Sequence, residues 1–274
     1  MINQPKFAAV IFSFSDDTDS TIETVRSLQY EIPGLHILIA EDLAAPLTPQ
    51  QKARFHRFPN ISFSTTTHKR NRNLNGYECV RGQLVTMNSF AWRTGAQWIF
   101  KIDADAGFYD HRLYTEKATG SIRAVFPSNR RFLPQEKRIK YPDGWGIGLC
   151  YALRADGIPD LMEYFKTKQG GGGEDLETSQ ACRTLWPEDI AWIDHGFAGF
   201  LGFDFIRQEH VRPVLDAEKL VKDGAKLVHW GNRYTFPGVY TDKEKRHMCA
   251  LYARQANDYV ESIPRKHPHY ENIL

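Results

Sequence analysis

Short apolar runs alternate with amphipathic segments through the first 105 residues, and this alternation limits the folds open to the chain. Residues 6–14, 35–40 and 98–102 are apolar and rich in β-branched or aromatic side chains, as buried strands are. Residues 22–28 and 77–94 carry apolar side chains at helical spacing, and a Gly or Pro follows each segment. A strand, a helix and another strand in this order predict parallel pairing with a right-handed crossover. We therefore expect an α/β fold with a mostly parallel, Rossmann-like sheet flanked by helices.

The remainder of the chain is less regular, but no segment of it has the composition of a linker. Strands are predicted at 123–127, 145–153 and 226–230, and an amphipathic helix at 242–262. Because no stretch rich in Pro and Ser separates the halves, we predict a single domain over residues 1–274.

Charge and composition exclude several classes of protein. The 274 residues include 35 Lys or Arg and 33 Asp or Glu, for a formal net charge of +2. A protein that coats nucleic acid is usually far more basic, and no apolar run approaches the roughly 18–20 residues of a membrane-spanning helix. The first residues lack a signal-peptide pattern and the four cysteines are scattered, which predicts reduced thiols in a cytoplasm. A bacterial or phage protein fits this pattern, and peripheral attachment to a membrane stays open.

Two carboxylates stand at the end of the strand predicted at 98–102. Asp103 and Asp105 flank a single Ala, so both can reach the crevice at the carboxyl end of a parallel sheet, where ligands bind in open α/β folds. Charged groups there are costly unless they are paired, and a divalent cation is a natural partner. A cation held by few carboxylates completes its shell with water and phosphate oxygens. The pattern predicts Mn²⁺ or Mg²⁺ together with a nucleoside diphosphate; a solvated acidic loop is the simpler alternative.

The order of these features resembles the GT-A fold of glycosyltransferases that use nucleotide sugars. That family has an N-terminal apolar strand, acidic residues after the second strand, a stretch with Gly, Arg and Asn, and then a strand that ends in Asp-x-Asp. The resemblance covers roughly residues 6–233. It implies that Asp105 binds the metal directly and that Asp103 contacts the ribose or the metal through water. It also implies donor-binding roles at these positions: Ser13, Phe14, Glu41, Asp42, Arg81 and Asp103.

A second acidic pair follows the glycine run at residues 170–173. A glycine run lets the backbone approach a ligand closely, and Glu174 and Asp175 are placed at the positive end of the dipole of the predicted helix. A flexible loop followed by a helix is the simpler alternative. The combination resembles the Gly-Gly-Glu-Asp motif of inverting GT-A galactosyltransferases and their relatives. The second acid of that motif is the general base, which implies Asp175 as the base and Glu174 as a ligand for acceptor hydroxyls.

Late in the sequence, His229 follows a short apolar segment and precedes Trp-Gly. In GT-A enzymes a His after the last core strand often completes the metal shell, so the resemblance implies that His229 binds the metal with Asp103 and Asp105. An imidazole beside carboxylates suits Mn²⁺ better than Ca²⁺, and a His bonded to the backbone at the edge of the core is the alternative. Arg233 is a candidate to neutralise the leaving diphosphate, and the loop at 231–238 is a candidate lid over the donor.

Two basic clusters lie in predicted loops, at residues 68–72 and 130–140. They are either solvated loops or contacts for an anionic acceptor. Such an acceptor is an anionic glycan, a phosphorylated lipopolysaccharide core, or a nucleic acid whose modified base offers a hydroxyl. Trp145 and Trp186 are candidates to stack on a sugar ring, although large aromatic residues more often pack in a core.

Together these features predict a metal-dependent glycosyltransferase that moves a sugar from a nucleotide-diphosphate sugar, with a UDP sugar favoured, to an acceptor hydroxyl with inversion. Residues 1–106 form the expected donor-binding half, residues 107–240 the acceptor-binding and catalytic half, and residues 241–274 a C-terminal helix and tail. A retaining GT-A enzyme, a nucleotidyltransferase and a non-catalytic nucleotide-sugar or glycan-binding module stay open. The acidic segment after the first strand disfavours the nucleotidyltransferase, which usually carries a Gly-rich basic loop there.

Overall fold

Strands and helices alternate along the first half of the chain, as the sequence predicts. The computed structural model describes residues 6–66, 76–128, 135–136, 143, 146, 148–193, 197–200, 203–204, 209–210, 221–222, 224, 226–230 and 241–264. Its strands are β1 (Phe7–Ser13), β2 (His36–Asp42), β3 (Ile61–Thr66), β4 (Trp98–Asp103), β5 (Ala106–Phe108), β6 (Ala124–Pro127), β7 (Cys150–Arg154), β8 (Ile190–Ile193), β9 (Phe197–Phe200), β10 (Phe203–Asp204), β11 (Glu209–His210) and β12 (Leu227–His229). Its α-helices are α1 (Thr18–Glu31), α2 (Pro49–Ala53), α3 (Gly76–Thr94), α4 (Arg112–Thr115), α5 (Ile158–Phe165), α6 (Glu174–Leu185) and α7 (Asp242–Ser262).

The main sheet has seven strands in the order β3-β2-β1-β4-β7-β6-β8. Strands β3, β2, β1 and β4 pair in parallel. Strand β7 runs antiparallel to both β4 and β6, while β8 is parallel to β6. The predicted α/β class with a mostly parallel sheet is therefore confirmed, with one reversed strand beside β4.

Strand β1 lies in the middle of this sheet and is buried along its whole length. Its side chains alternate between two apolar clusters, one shared with α1 and the other with α3, α5 and α6. Burial on both faces explains why a central parallel strand reads as one continuous apolar run in the sequence. The side chains of the first cluster are Phe7, Ala9 and Ile11, and those of the second are Ala8, Val10 and Phe12.

A three-stranded sheet, in the order β5-β12-β9, lies next to the end of β4. Strand β12 is antiparallel to β5 and parallel to β9. Helix α7 covers it, with Val228 and Trp230 in one buried cluster with α7 side chains such as Tyr252. Helix α7 begins with a capping box in which Thr241 and Glu244 each bind the other's backbone N–H. Because β5 starts three residues after β4 ends, the turn between them connects the two sheets.

Two sequence predictions differ from the structure. The strand predicted at 145–153 begins only at Cys150, because the backbone of Gly148 bonds to the side chains of Lys101 and Asp175 instead of a neighbouring strand. Trp186 is not available as a sugar platform, since it is 6% exposed and packs in the core against Gly157. Trp145 lies outside the described residues.

The four cysteines form no disulfide. In the described ranges, no helix combines the length and the apolar character needed to span a bilayer.

Candidate functional site

Asp103, Asp105 and His229 lie together where the main sheet meets the three-stranded sheet. Asp103 is the last residue of β4, Asp105 lies in the turn to β5, and His229 ends β12. The His229 Nε2 atom is 2.9 Å from Asp105 Oδ1 and 3.9 Å from Asp103 Oδ2. One ligand atom from each of the three residues lies within 4.8 Å of the others. The two predicted motifs, Asp-x-Asp at 103–105 and His229, therefore meet at one place although they are distant in sequence.

Backbone pairing between β5 and β12 produces this meeting. In the antiparallel register, His229 stands opposite Ala106, the residue after Asp105. The next residue, Trp230, donates its backbone N–H to the Asp105 carbonyl at 2.8 Å. Gly107 is needed beneath this pairing, because a Cβ there would lie 2.6 Å from the indole nitrogen of Trp230. The approach of His229 to Asp105 is thus fixed by the sheet.

Lys101 is a further member of the site that the sequence analysis did not single out. It lies in β4 and is 1% exposed. Its ammonium contacts Asp103 Oδ1 at 2.5 Å, Glu174 Oε1 at 2.7 Å and the Gly148 carbonyl at 2.8 Å. Because residues two apart share a face of a strand, Lys101 and Asp103 project to the same side. That spacing, in an otherwise apolar strand, is the sequence signal that could have identified Lys101.

The acidic pair at the start of α6 faces the same lysine. Glu174 is held from both sides, since its Oε1 pairs with Lys101 and its Oε2 accepts a hydrogen bond from the Gln83 side-chain amide. Asp175 is held by backbone: Oδ1 accepts from Leu176 N–H at 2.8 Å, and Oδ2 accepts from Gly148 N–H at 3.1 Å. The two neighbouring carboxylates therefore have different surroundings, one fixed by side chains and the other by peptide groups.

Burial and charge shift the proton affinities of these groups. Burial raises the pKa of Asp103 to about 6, although the positive charges of Lys101 and His229 act in the opposite direction. Burial lowers the pKa of His229, but Asp105 and Asp103 outweigh it and leave the pKa above its usual value. Burial also lowers the pKa of Lys101, but Asp103 and Glu174 raise it well above normal, so this lysine is an ammonium. For Asp175, burial and the charge of Glu174 raise the pKa.

The donor set suits a divalent cation of the Mn²⁺ or Mg²⁺ type. Two carboxylates and one imidazole converge, which is an oxygen-rich set with one nitrogen. Four carboxylates, two of them Glu174 and Asp175, surround one ammonium and one imidazole in the described part of the site. This excess of negative charge favours a cation at the three converging ligands.

A second group of metal-compatible residues lies elsewhere, formed by Glu31, Asp110 and His111. Asp110 already binds Arg112 and Lys226 at 2.8 and 2.9 Å, and His111 Nδ1 is 2.7 Å from Glu31. Its charges are thus balanced within the protein, which distinguishes it from the site at Asp105.

The predicted donor-binding residues lie at the carboxyl ends of β1 and β2. The Ser13 hydroxyl is buried and bonds to Thr21 Oγ1 at 2.6 Å, and Phe14 follows it at the end of β1. Glu41 is bound by the Lys52 ammonium at 2.6 Å and by the Leu47 N–H at 2.9 Å. The structure thus places Ser13 and Glu41 in bonds within the fold.

Asp42 differs from Ser13 and Glu41, because only one of its two carboxylate oxygens is hydrogen-bonded within the described residues. It is 1% exposed, and its Oδ1 accepts the Ala44 N–H at 2.7 Å. Its Oδ2 has no hydrogen-bond partner among the residues that the structure describes. A buried acceptor in this condition is costly unless a ligand or water supplies a donor.

The Arg81 guanidinium, a predicted donor contact, binds the carboxyl end of α5. It donates to the carbonyls of Phe165 and Lys168 at 2.9 and 2.8 Å. The structure therefore shows a helix-clamping role for Arg81, and its donor role stays a prediction. Three of the predicted features lie wholly outside the described residues: Arg233, the lid at 231–238 and the basic cluster at 68–72. Of the basic cluster at 130–140, the structure describes only residues 135 and 136.

Comparisons with known proteins show the fold. No protein-family model and no curated protein matches the sequence. Among solved structures, the chain is similar to the bifunctional glycosyltransferase WbbM, with a TM-score of 0.57 and 11% identity over 96% of this chain and 53% of that one. It is also similar to the galactosyltransferase LgtC in complex with donor and acceptor sugar analogues, with a TM-score of 0.53 and 13% identity over 94% of this chain and 98% of that one. The chain has a GT-A fold. It spans about half the length of WbbM and nearly all of LgtC.

The GT-A fold was predictable from the motifs, but the contacts inside the site were not. The predicted Asp103, Asp105 and His229 come together, and the predicted Glu174 joins them through Lys101. Lys101 and Gln83 were missed. Gln83 lies in α3, and nothing in its local sequence signals that it would bind a residue 91 positions later.

Proposed function

We propose that this GT-A protein is a metal-dependent glycosyltransferase that moves a sugar from a nucleotide-diphosphate sugar to an acceptor hydroxyl. The convergence of Asp103, Asp105 and His229 within 4.8 Å, at the edge of a GT-A sheet, is the observation that carries the proposal. When bound there, a divalent cation neutralises charge that develops on the departing diphosphate. Asp105 and His229 are the proposed direct ligands, and Asp103 the ligand or ribose contact beside them.

The proposed donor is a UDP sugar. The unsatisfied Oδ2 of Asp42 supports a nucleoside with a hydrogen-bond donor in its base or ribose, and the imide N–H of uracil is such a donor. Ser13, Phe14 and Glu41 would form the remainder of the nucleoside contact, and Arg233 would pair with the diphosphate. Residues 1–106 are proposed as the donor half and residues 107–240 as the acceptor half.

Asp175 is the proposed general base of an inverting displacement. Its carboxylate is oriented by two backbone N–H groups, and each oxygen keeps a lone pair for a further hydrogen bond. Asp175 takes the proton of the acceptor hydroxyl while that oxygen forms the new bond to the anomeric carbon. The bond from the anomeric carbon to the diphosphate breaks at the same time, and its electron pair leaves with the nucleoside diphosphate. Glu174, fixed by Lys101 and Gln83, would orient an acceptor hydroxyl.

A donor screen tests this function. Purified protein is incubated with individual nucleotide sugars and Mn²⁺, with and without EDTA, and release of the nucleoside diphosphate is measured. We expect release from a UDP sugar that EDTA abolishes. Formation of a nucleoside triphosphate and a sugar 1-phosphate when pyrophosphate is added would instead identify a nucleotidyltransferase, and metal-dependent binding without turnover would identify a binding module.

Acceptor and stereochemistry are determined in a second step. Neutral glycans, phosphorylated glycans and hydroxyl-bearing nucleic acids are offered as acceptors, and the anomeric configuration of the product is read by NMR. The proposal predicts inversion and an anionic acceptor whose apparent affinity falls as salt rises. A product with the donor's configuration would refute Asp175 as the base of a single displacement.

A further inference from the structure

Lys101 uses all of its hydrogen-bonding capacity on three separate segments. An ammonium carries three N–H donors, and the acceptors are Asp103 at the end of β4, Glu174 at the start of α6 and Gly148 in the segment before β7. The segments are far apart in sequence, since Gly148 follows Lys101 by 47 residues and Asp175 follows Gly148 by 27. One buried charge therefore joins three parts of the site.

The contact with Gly148 extends to the proposed base. The Gly148 carbonyl accepts from Lys101 at 2.8 Å, and the N–H of the same residue donates to Asp175 Oδ2 at 3.1 Å. A Cβ on Gly148 would lie 2.8 Å from the Asp175 Cβ, so the glycine also permits this close approach. Lys101 thus contacts Asp103 directly and reaches Asp175 through one residue.

Stability alone gives little reason for a lysine at this position. Ile99, two residues before Lys101 and so on the same face of β4, is apolar and fully buried, so the strand itself does not require a charge on that face. Replacing a buried ion pair by apolar residues is often neutral or stabilising. What an apolar residue could not do is hold Asp103, Glu174 and the Gly148 backbone in one arrangement.

We infer that Lys101 is a positioning residue that fixes the metal-side carboxylate Asp103 relative to the base Asp175. This inference rests on the proposed glycosyl transfer, in which the base and the departing diphosphate lie on opposite sides of the anomeric carbon. A misplacement of about 1 Å in such an arrangement costs on the order of 100-fold in rate. The Lys101 ammonium acts through the three protein groups that it binds.

The test compares Lys101→Met with wild type in two reactions of one donor. Transfer to an acceptor needs the alignment of Asp175, whereas metal-dependent hydrolysis of the donor by water needs it less. We expect the kcat for transfer to fall about 100-fold, with a much smaller fall in hydrolysis and unchanged binding of UDP with Mn²⁺. Lys166→Met, which removes an exposed lysine at the end of α5, is the matched control and should leave both reactions unchanged.

Two results would overturn the inference: an unchanged kcat for transfer, or an equal fall in transfer and hydrolysis while the variant stays folded. If Lys101→Met fails to fold, the double variant Lys101→Met with Glu174→Gln removes one of the stranded charges and is measured against Glu174→Gln alone.

Crystal structures of wild type and Lys101→Met separate this inference from the proposed function. If wild type turns over no nucleotide sugar, the proposed function fails, and the structures still decide the role of Lys101. Displacement of Asp175 and Gly148 relative to Asp103 in the variant supports the positioning role. Unchanged positions of these residues contradict it.

Discussion

The His229 Nε2 atom lies 2.9 Å from Asp105 Oδ1, although 124 residues separate the two in sequence. The β5–β12 pairing enforces this approach, with His229 opposite Ala106 and Trp230 bonded to the Asp105 carbonyl. A sheet register is difficult to shift, because a slip of one residue would turn the side chains to the opposite face. The arrangement is therefore preformed, as expected of a metal site whose ligands come from rigid elements.

Asp105→Asn should remove the metal dependence of donor binding. An amide in place of the carboxylate takes away the negative charge closest to His229, so Mn²⁺ should no longer increase the affinity for UDP. Loss of several kcal/mol of charge stabilisation corresponds to a fall of about two to three orders of magnitude in kcat/KM. Calorimetric titration of UDP with and without Mn²⁺ measures the effect. Asp156→Asn, at a side chain that is 65% exposed, is the control. Unaltered metal dependence in Asp105→Asn would refute the ligand assignment.

Asp175→Asn should abolish transfer while leaving donor binding intact. The amide cannot take the acceptor proton, and the loss of a general base costs about 10²–10⁴-fold. Steady-state transfer kinetics and UDP binding with Mn²⁺ give the two readouts, and Glu163→Gln at an exposed site is the control. Transfer at the wild-type rate would mean that another group takes the proton.

The pH profile of transfer should show the environment of Asp175. Burial and the negative charge of Glu174 raise the pKa of Asp175 above its usual value. The base works only when deprotonated, so kcat should fall as the pH drops through this raised pKa. Glu174→Gln removes one cause of the shift, and the acid limb should then move to lower pH. A limb that stays in place or moves to higher pH would contradict the assignment.

Gly76→Ala should disturb the glycine run more than Gly172→Ala does. A Cβ on Gly76 would lie 2.1 Å from the Gly172 carbonyl oxygen, a backbone atom that can move only with its segment. A Cβ on Gly172 would meet only ordinary contacts, at 3.4 Å from Glu177 and 3.7 Å from Leu176. Overpacking of this kind costs about 1–3 kcal/mol of unfolding free energy. Urea unfolding of both variants, together with transfer rates, tests the difference; equal behaviour would show that the contact is not restrictive.

Asp110→Asn should weaken the start of β12. Burial raises the pKa of Asp110, but hydrogen bonds from Arg112 and Lys226 outweigh it and lower the pKa to about 2. A carboxyl whose folded-state pKa is depressed contributes stability above its unfolded pKa, and loses it as the pH falls toward 2. The two cations are partly exposed, so we expect a loss of about 1 kcal/mol at neutral pH. In urea unfolding at several pH values, the free energy of unfolding of wild type should approach that of the variant as the pH falls. A difference in free energy that stays constant with pH would contradict this role.

The alternating pattern predicted the fold because each element satisfies its own local rule. The central strands are buried on both faces, and their apolar runs mark them without reference to the remainder of the chain. Helix α7 was predicted at its observed bounds from its amphipathic pattern, and the structure shows that a capping box of Thr241 and Glu244 begins it. The strand predicted at 145–153 was too long, because Gly148 uses its backbone for side chains of distant elements. Such bonds depend on tertiary structure and leave no local pattern.

In the candidate site, too, some residues could be identified from local sequence and others only from tertiary contacts. Asp103, Asp105 and Glu174 stand in short motifs next to strands or glycines, so sequence alone could select them. Lys101 and Gln83 were missed because they belong to the site through their contacts with Glu174, which is 91 positions from Gln83. The sequence signal for Lys101 was a lysine within an otherwise apolar predicted strand, two residues before Asp103.

The metal dependence of catalysis is measured as turnover of a nucleotide sugar by wild type and by Asp105→Asn, each with Mn²⁺ and with EDTA. We expect release of nucleoside diphosphate by wild type with Mn²⁺, and loss of this release both in EDTA and in Asp105→Asn. Release that persists in EDTA and in the variant, or no binding or turnover of any nucleotide sugar, would contradict a metal-dependent glycosyltransferase centred on Asp105 and His229.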